Sequence, residues 1–369
     1  MIYLNHAATS YPKPPAVVEA VMHALTAPPV SALRSTAGDN DELSDQLRQS
    51  LAALLHTAHP ERIVVTSGAT DSINRLIGGW GITHAVATAD NHNSVLRPLY
   101  NLKTIRQVDI VEAGIIDTPD LWPAEMGGGA MLILPHCSNV TGAIHDIRRI
   151  SAEAHRRGMT VVVDAAQSAG CIPIDADGWE VDAIAFTGHK ALYGPPGTGG
   201  YYLRPGIALR PTLFGGTGRD SSIVEYKGDD WEYEVGTPNL PGMAGLKEGV
   251  DLVLEHTVER IFQQVQAKTL WLIRELNSIN HVSVYAQGGK CQGPVVSFNI
   301  KGLLPSDVGY LLENAYGITT RTGLHCAPLI HRQLGTAPHG TVRVSLSHQT
   351  TDDDLQALVA AIREICQGL

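Results

Sequence analysis

From about residue 60 the chain alternates short runs of β-branched and other apolar residues with longer stretches in which apolar positions recur at helical spacing. The runs are Arg62-Ile-Val-Val-Thr66, His84-Ala-Val-Ala-Thr88, Met131-Leu-Ile-Leu134, Thr160-Val-Val-Val-Asp164 and Asp182-Ala-Ile-Ala-Phe186. Each is short enough for a strand and apolar on both faces, so the alternation predicts an α/β fold with a largely parallel sheet covered on both sides. Polar or glycine-rich residues follow most of the runs directly: Ser67 to Thr70, His136 to Gly142, Asp164 to Gly170 and Thr187 to Lys190. Open α/β sheets bind ligands at that end of their strands, so a single site collecting several strand ends is expected.

Beyond this region the pattern changes. Ala244 to Ile279 is proline-free, with apolar residues at helical spacing from Leu252 to Leu276, and predicts one long helix leaving the larger domain. A strand at Val295–Ile300 follows, then a helix opened by Pro305-Ser306-Asp307, a strand at Thr341–Ser345 and a closing helix capped near Thr351-Asp352. Together these predict a smaller α+β domain from about 245 onward. Gly127-Gly128-Gly129 reads as a turn before a strand. A chain of 369 residues exceeds what one hydrophobic core usually serves, which also favours two domains sharing a cleft.

Charge and composition narrow the function. A net charge of −10, with no run of Lys and Arg, gives no reason to seek nucleic acid. The N-terminus lacks the basic flank and apolar run of a secretory signal, and no stretch approaches the apolar length of a membrane span, so a soluble, cytoplasmic protein is expected. Five cysteines, Cys137, Cys171, Cys291, Cys326 and Cys366, form no C-x-x-C pair and are read as free thiols. The 16 histidines include no H-E-x-x-H and no cysteine–histidine array, so no metal site is expected.

Three features carry chemistry in combination. Asp164 closes a buried strand and needs a cationic partner. Lys190 ends another, in Phe186-Thr-Gly-His-Lys190, where a desolvated lysine is a candidate for Schiff-base chemistry. Ser67-Gly-Ala-Thr70 opens a helix whose free N–H groups and dipole suit a phosphate. Singly, each has a plain reading: a loop carboxylate, a solvated lysine, an ordinary N-cap. Jointly and in this order they describe a pyridoxal phosphate site.

Further motifs extend the pattern: Tyr3-Leu-Asn-His-Ala-Ala-Thr9, Asn91-His-Asn-Ser-Val-Leu-Arg-Pro98, Ser138-Asn-Val-Thr-Gly142, Val163-Asp-Ala-Ala-Gln-Ser-Ala-Gly170, Tyr193-Gly-Pro-Pro-Gly-Thr-Gly199, Glu234-Val-Gly-Thr-Pro-Asn239 and Arg321-Thr-Gly-Leu-His-Cys-Ala-Pro328. With the lysine segment they resemble, end to end, the cysteine desulfurase branch of the class V aminotransferase family. The resemblance implies the fold type I architecture of pyridoxal-phosphate-dependent transferases, with a large domain at 16–244 and a small one made of 1–15 with 245–369. It implies that Lys190 holds pyridoxal 5'-phosphate covalently and shuttles the substrate's α-proton. Asp164 would pair with the pyridine nitrogen, His92 would stack on the ring and Gln167 would face the phenolic oxygen. Ala69, Thr70, Thr187 and His189 would hold the phosphate, with Thr237 reaching the phosphate of the other subunit of a homodimer. Asn139 and Arg343 would hold the amino-acid substrate, with Arg321 nearby. Cys326 would take sulfur from L-cysteine as a persulfide and pass it to an acceptor protein.

Residue by residue, plainer readings exist: His92 as a cap for the next helix, Arg343 as an outward charge on a sheet face, Cys326 as a small buried hydrophobe. For Cys326, the neighbouring His325 and Arg321 are expected to favour a thiolate, and a mobile loop is expected to let the sulfur approach the substrate. The chain also departs from its relatives, with Asn5-His6 and Asn91 where acidic residues are usual, and a divergent segment from Ser31 to Leu43. A carbon–sulfur or carbon–selenium lyase on the same scaffold is the nearest rival, differing in whether Cys326 is needed. A transaminase would leave the cysteine loop without a task, and a non-catalytic scaffold would have no use for Lys190, Asp164 and Arg343 together.

Overall fold

The computed structural model describes residues 1–27, 39–106, 109–113, 129–216, 222, 224, 233–286 and 288–369. Most of the divergent segment after Ser31, and Gly127 with Gly128, lie outside the described residues. In chain order the strands are β1 (Ile2–Tyr3), β2 (Ile63–Thr66), β3 (His84–Thr88), β4 (Asp109–Ala113), β5 (Ala130–Pro135), β6 (Met159–Asp164), β7 (Ala183–Thr187), β8 (Gly199–Leu203), β9 (Val282–Tyr285), β10 (Val295–Ile300), β11 (Ile318–Thr319), β12 (Arg321–Gly323) and β13 (Thr341–Ser345). The helices are α1 (Pro15–Thr26), α2 (Asp39–Leu55), α3 (Ala69–Trp80), α4 (Asn93–Arg106), α5 (Ile147–Arg156), α6 (Ala176–Trp179), α7 (Leu240–His256), α8 (Val258–Asn277), α9 (Pro305–Tyr316), α10 (Pro328–Gln333) and α11 (Asp352–Gln367).

The central sheet has seven strands in the order β2-β8-β7-β6-β5-β3-β4, parallel except for β8, which runs antiparallel to both β2 and β7. Pleating sends alternate side chains to opposite faces. Leu132, Leu134, Val161, Val163, Ile184 and Phe186 pack into one core, and Met131, Ile133, Val162, Ala183 and Ala185 into the other. The second core is closed by Ile73, Leu76 and Ile77 of α3 with Val95, Leu96 and Leu99 of α4. The continuous apolar runs in the sequence follow directly from this two-sided burial. Among the strands, β8 was masked by its glycines: a Cβ at Gly200 would stand 2.5 Å from the Val64 carbonyl oxygen and 2.7 Å from the Phe186 ring, so only glycine lets these strands close.

The C-terminal part forms a four-stranded antiparallel sheet, β12-β13-β10-β9. The N-terminal strand β1 pairs with β11, so the first residues of the chain join this part of the molecule. The single long helix expected across 244–279 is two helices, α7 and α8. Thr257 breaks it with a φ of 58°, and its side-chain oxygen caps α8 by accepting the Arg260 N–H. Periodicity is blind to this break because Leu254 and Val258 keep helical spacing across it. The closing helix α11 starts as expected, with a capping box between Thr351 and Asp354.

Candidate active site

The C-terminal ends of β2, β3, β5, β6 and β7 open into one cavity of about 350 Å³. Ala69, Thr70, His92, Asn139, Asp164, Gln167, Thr187, His189, Lys190, Arg321 and Arg343 all line it. Cys326 stands beside it, held by Arg321, whose guanidinium N–H donates to the thiol sulfur at 3.4 Å. Thr237 does not line the cavity; it is exposed at the surface of the single chain.

At one end lies the start of α3. Its N-cap is Gly68, with no capping side chain and a φ of 142° that favours glycine, and the N–H groups of Ala69 and Thr70 find no acceptor among the described residues. Thr187 and His189 face the same space. The His189 carbonyl already accepts from the Ser10 N–H at 3.0 Å and from Lys13 Nζ at 2.9 Å. The Thr9 hydroxyl donates to the same carbonyl at 3.0 Å and lies 3.1 Å from His189 Nδ1. Burial, with Lys190 and Lys13 nearby, drives the His189 pKa down to about 4, so the ring is neutral at pH 7.

Lys190 also lines the cavity; its amine makes no hydrogen bond with a described residue, and desolvation brings its pKa down to about 8 against the opposing pull of Asp164. Asp164 accepts the Ala166 N–H at 2.9 Å, and burial raises its pKa. A second carboxylate, Asp90, also reaches the cavity but has both oxygens engaged, one by the Thr88 hydroxyl at 2.5 Å and one by His145 Nε2 at 2.7 Å. A third, Asp71, has both oxygens held by Arg75, so Asp164 is the carboxylate left available to a ligand. Gln167 is steadied by one bond from its amide to the Ala7 carbonyl at 3.0 Å. His92 is fixed by Ser94, whose backbone N–H donates to Nδ1 at 3.0 Å. An amide N–H only donates, so the His92 proton resides on Nε2. Burial and the cations Lys190, Arg321 and Arg343 lower its pKa to about 4.

Arg343, which also lines the cavity, is 1% exposed, so its mid-strand position faces inward. It donates to the Asn139 carbonyl at 3.1 Å and the Asn5 side-chain oxygen at 3.3 Å, and its Nε has no partner. No carboxylate pairs with it among the described residues; burial and the neighbouring Arg321 lower its pKa to about 9. A buried, unpaired guanidinium is a strong receptor for a substrate carboxylate. The Asn139 side-chain amide, in contrast, donates to the His325 carbonyl at 2.7 Å. Its observed work is to tie down the cysteine loop.

That loop corrects two expectations. His325 gives Cys326 no cationic support: its Nε2 faces Thr341, and burial with Arg343 close by drives its pKa to about 2. Arg321 alone of the two supplies positive charge to the sulfur. The loop is also anchored on both sides of the thiol, since the Asn93 N–H donates to the Cys326 carbonyl at 2.7 Å and Asn139 holds the His325 carbonyl. His325 and Cys326 have φ values of 48° and 59°, a left-handed pair that presents the sulfur on a tight turn.

Comparison with known proteins places this arrangement. The model of the class V aminotransferases matches residues 2–358. The chain belongs to the class V aminotransferase family. The cysteine desulfurase CsdA of Escherichia coli is 32% identical over 98% of this chain and 93% of its own length. A probable cysteine desulfurase of Chlamydia muridarum is 30% identical over 100% of this chain and 95% of its own. Among solved structures, the Escherichia coli CsdA superposes with a TM-score of 0.87 at 28% identity, covering 100% of this chain and 95% of that one. The apo cysteine desulfurase of Thermococcus onnurineus NA1 gives 0.85 at 27%, again with 100% and 95% covered. The fold is therefore that of the pyridoxal-phosphate cysteine desulfurases, and the family's cofactor is pyridoxal 5'-phosphate.

The residues present fit that cofactor. An uncapped helix end with two open N–H groups suits its phosphate, the unpaired Lys190 amine its aldehyde carbon, and the free face of Asp164 its ring nitrogen. Sequence reasoning missed Asp90 and His145, which meet only through tertiary folding, and noted Asn5 without foreseeing its contact with Arg343. The one available signal was an aspartate two positions before His92, where Asn91 seemed to leave the turn without an acid.

Proposed function

We propose that the protein is a pyridoxal-phosphate-dependent L-cysteine desulfurase that releases alanine and carries the sulfur as a persulfide on Cys326. The observation that carries this reading is the Arg321 guanidinium against the Cys326 sulfur, beside a cavity into which Arg343, the cross-strand neighbour of Arg321, offers a guanidinium without a carboxylate partner among the described residues for an amino-acid carboxylate. The guanidinium N–H reaches the sulfur at 3.4 Å and so holds the attacking atom in place beside the cavity.

Pyridoxal phosphate, when bound, supplies an electron sink for charge developing at the substrate's α-carbon. The protein's own residues divide the remaining work. Arg343 binds and orients the substrate carboxylate. Asp164, whose carboxylate is held by the Ala166 N–H, would pair with the ring nitrogen and favour its protonated form. Lys190, with a pKa near 8, both accepts and returns a proton at physiological pH. Cys326 thiolate attacks the substrate sulfur: an S–S bond forms, the Cβ–S bond breaks, and its electron pair leaves with Cβ, which takes up a proton to become the alanine methyl group. The outer sulfur then passes to a thiol of an acceptor protein.

The active unit of this reading is a homodimer, in which the exposed Thr237 completes the phosphate cup of the second copy. The chain divides at 16–244 and 1–15 with 245–369, with substrate bound between the parts; the pairing of β1 with β11 supports assigning the first residues to the smaller one. We place the protein in the cytoplasm. Its five cysteines are all free, as a reducing compartment keeps them, and no helix among the described residues is long and apolar enough to cross a membrane. The test is product analysis with L-cysteine. Alanine in step with acceptor persulfide is the expected result, and pyruvate with free sulfide would replace this reading with β-elimination.

A further inference from the structure

At the wall of the cavity, which Asp90 lines, lies a buried ionisable pair for which the chemistry above has no use. Asp90 is 2% exposed and His145 4%, and they meet at 2.7 Å between Oδ2 and Nε2. Burial works to raise the Asp90 pKa, but the contact with His145 and the Thr88 hydroxyl outweigh it and hold the carboxylate below its ordinary value. Buried pairs of this kind contribute little net stability, because desolvation offsets their attraction. Their attested use is to fix position, and this one joins two segments 55 residues apart.

The segments are the two turns that carry site residues. Asp90 belongs to the turn between β3 and α4, which presents His92. Within that turn Asn91 donates to the Thr88 hydroxyl oxygen at 3.1 Å and to the Ile133 carbonyl at 2.8 Å, and the Asn91 N–H closes back on the Thr88 carbonyl at 3.1 Å. His145 closes the hairpin after β5, where its N–H donates to the His136 carbonyl and Cys137 bridges to Ile144. The same hairpin carries Asn139, whose carbonyl receives Arg343, and its His136 N–H donates to the Asp164 carbonyl at 2.9 Å. One contact thus braces the His92 turn against a hairpin bonded to both the Arg343 guanidinium and the backbone of Asp164.

We propose that Asp90 and His145 are a positioning pair that sets where His92 stands in the cavity. Neither touches substrate; both act through the turn, and the Ser94 bond that fixes the His92 proton on Nε2 depends on the turn's conformation. The proposal rests on the pyridoxal phosphate reading, and the test separates the two.

The holoenzyme is prepared as wild type, Asp90→Asn, His145→Gln, His92→Ala and each substitution combined with His92→Ala. The readouts are the visible circular dichroism of the bound cofactor, steady-state kinetics with L-cysteine, and melting temperature. Asp90→Asn and His145→Gln are each expected to shrink the dichroic band by about half or more and to lower kcat about tenfold, with KM moving less than about threefold. In the His92→Ala background the same changes are expected to add less than about a twofold effect, because there is no longer a ring to misplace. If the single variants lose melting temperature while the band and kcat stay at wild type, the pair is merely structural and the proposal fails. Full additivity with His92→Ala also overturns it. Should Asp90→Asn not fold, His145→Gln, which leaves the carboxylate its Thr88 hydroxyl and an amide donor, carries the same comparison. A colourless wild type would instead overturn the cofactor reading.

Discussion

Lys190 owes its poise to burial. Desolvation lowers its pKa from 10.5 to about 8, and Asp164 opposes the shift. Below pH 8 the amine is mostly protonated, so in cofactor-free protein the borohydride-trapped labelling of Lys190 by pyridoxal phosphate should rise about tenfold per pH unit and level off near pH 8. Peptide mapping checks this, and a rate still climbing toward 10.5 would mean that the lysine is not desolvated. Removing the opposing charge with Asp164→Asn should move the midpoint lower. For Arg343, whose guanidinium has no carboxylate partner among the described residues, Arg343→Gln should raise KM for L-cysteine by about a hundredfold or more, with a smaller effect on kcat, because a charge-assisted bidentate contact is lost. Equal KM values for the variant and wild type would remove Arg343 from substrate binding.

At the scale of elements, the site is built from strand ends and one uncapped helix. Gly68 holds a φ of 142° at the start of α3, and a Cβ there would stand 3.4 Å from the Thr187 hydroxyl oxygen. Gly81 ends the same helix at a φ of 68° with nothing within 4 Å of a Cβ. Gly68→Ala should therefore weaken retention of the cofactor, measured by dialysis and absorbance, about tenfold or more. Gly81→Ala should cost about 1 kcal/mol of stability in denaturant titration and leave retention unchanged. Equal retention in both variants would show that the end of α3 does not bind phosphate. Much at this scale was legible in the sequence: β3, β5, β6 and β7 are built on continuous apolar runs because both faces are buried, β10 and β13 alternate β-branched or aromatic with polar residues, and α11 announces itself by its cap. The break at Thr257 and the strand at Gly199–Leu203 were not, because a capping threonine looks like helix filler and paired glycines look like a loop.

For the whole molecule, the order of motifs made the family legible, whereas the cross-chain contacts that refine the site were not. Asn139 was read as a substrate ligand, yet its amide holds the His325 carbonyl, 186 residues away. Spacing along a chain carries no record of such a meeting. The exposed Thr237 leads to a prediction about assembly: mixing Lys190→Ala with Thr237→Glu and allowing subunits to exchange should restore about a quarter of wild-type activity, since half the dimers are hybrids and each has one complete site. No recovery after demonstrated exchange would mean that each chain completes its own site. The central claim is that Cys326 takes the sulfur, and the most direct measurement is mass spectrometry of the cysteine-containing peptides after the wild type has reacted with L-cysteine. The account predicts one added sulfur on the Cys326 peptide and none on those of Cys137, Cys171, Cys291 or Cys366. An unmodified Cys326 peptide while sulfide accumulates would contradict it.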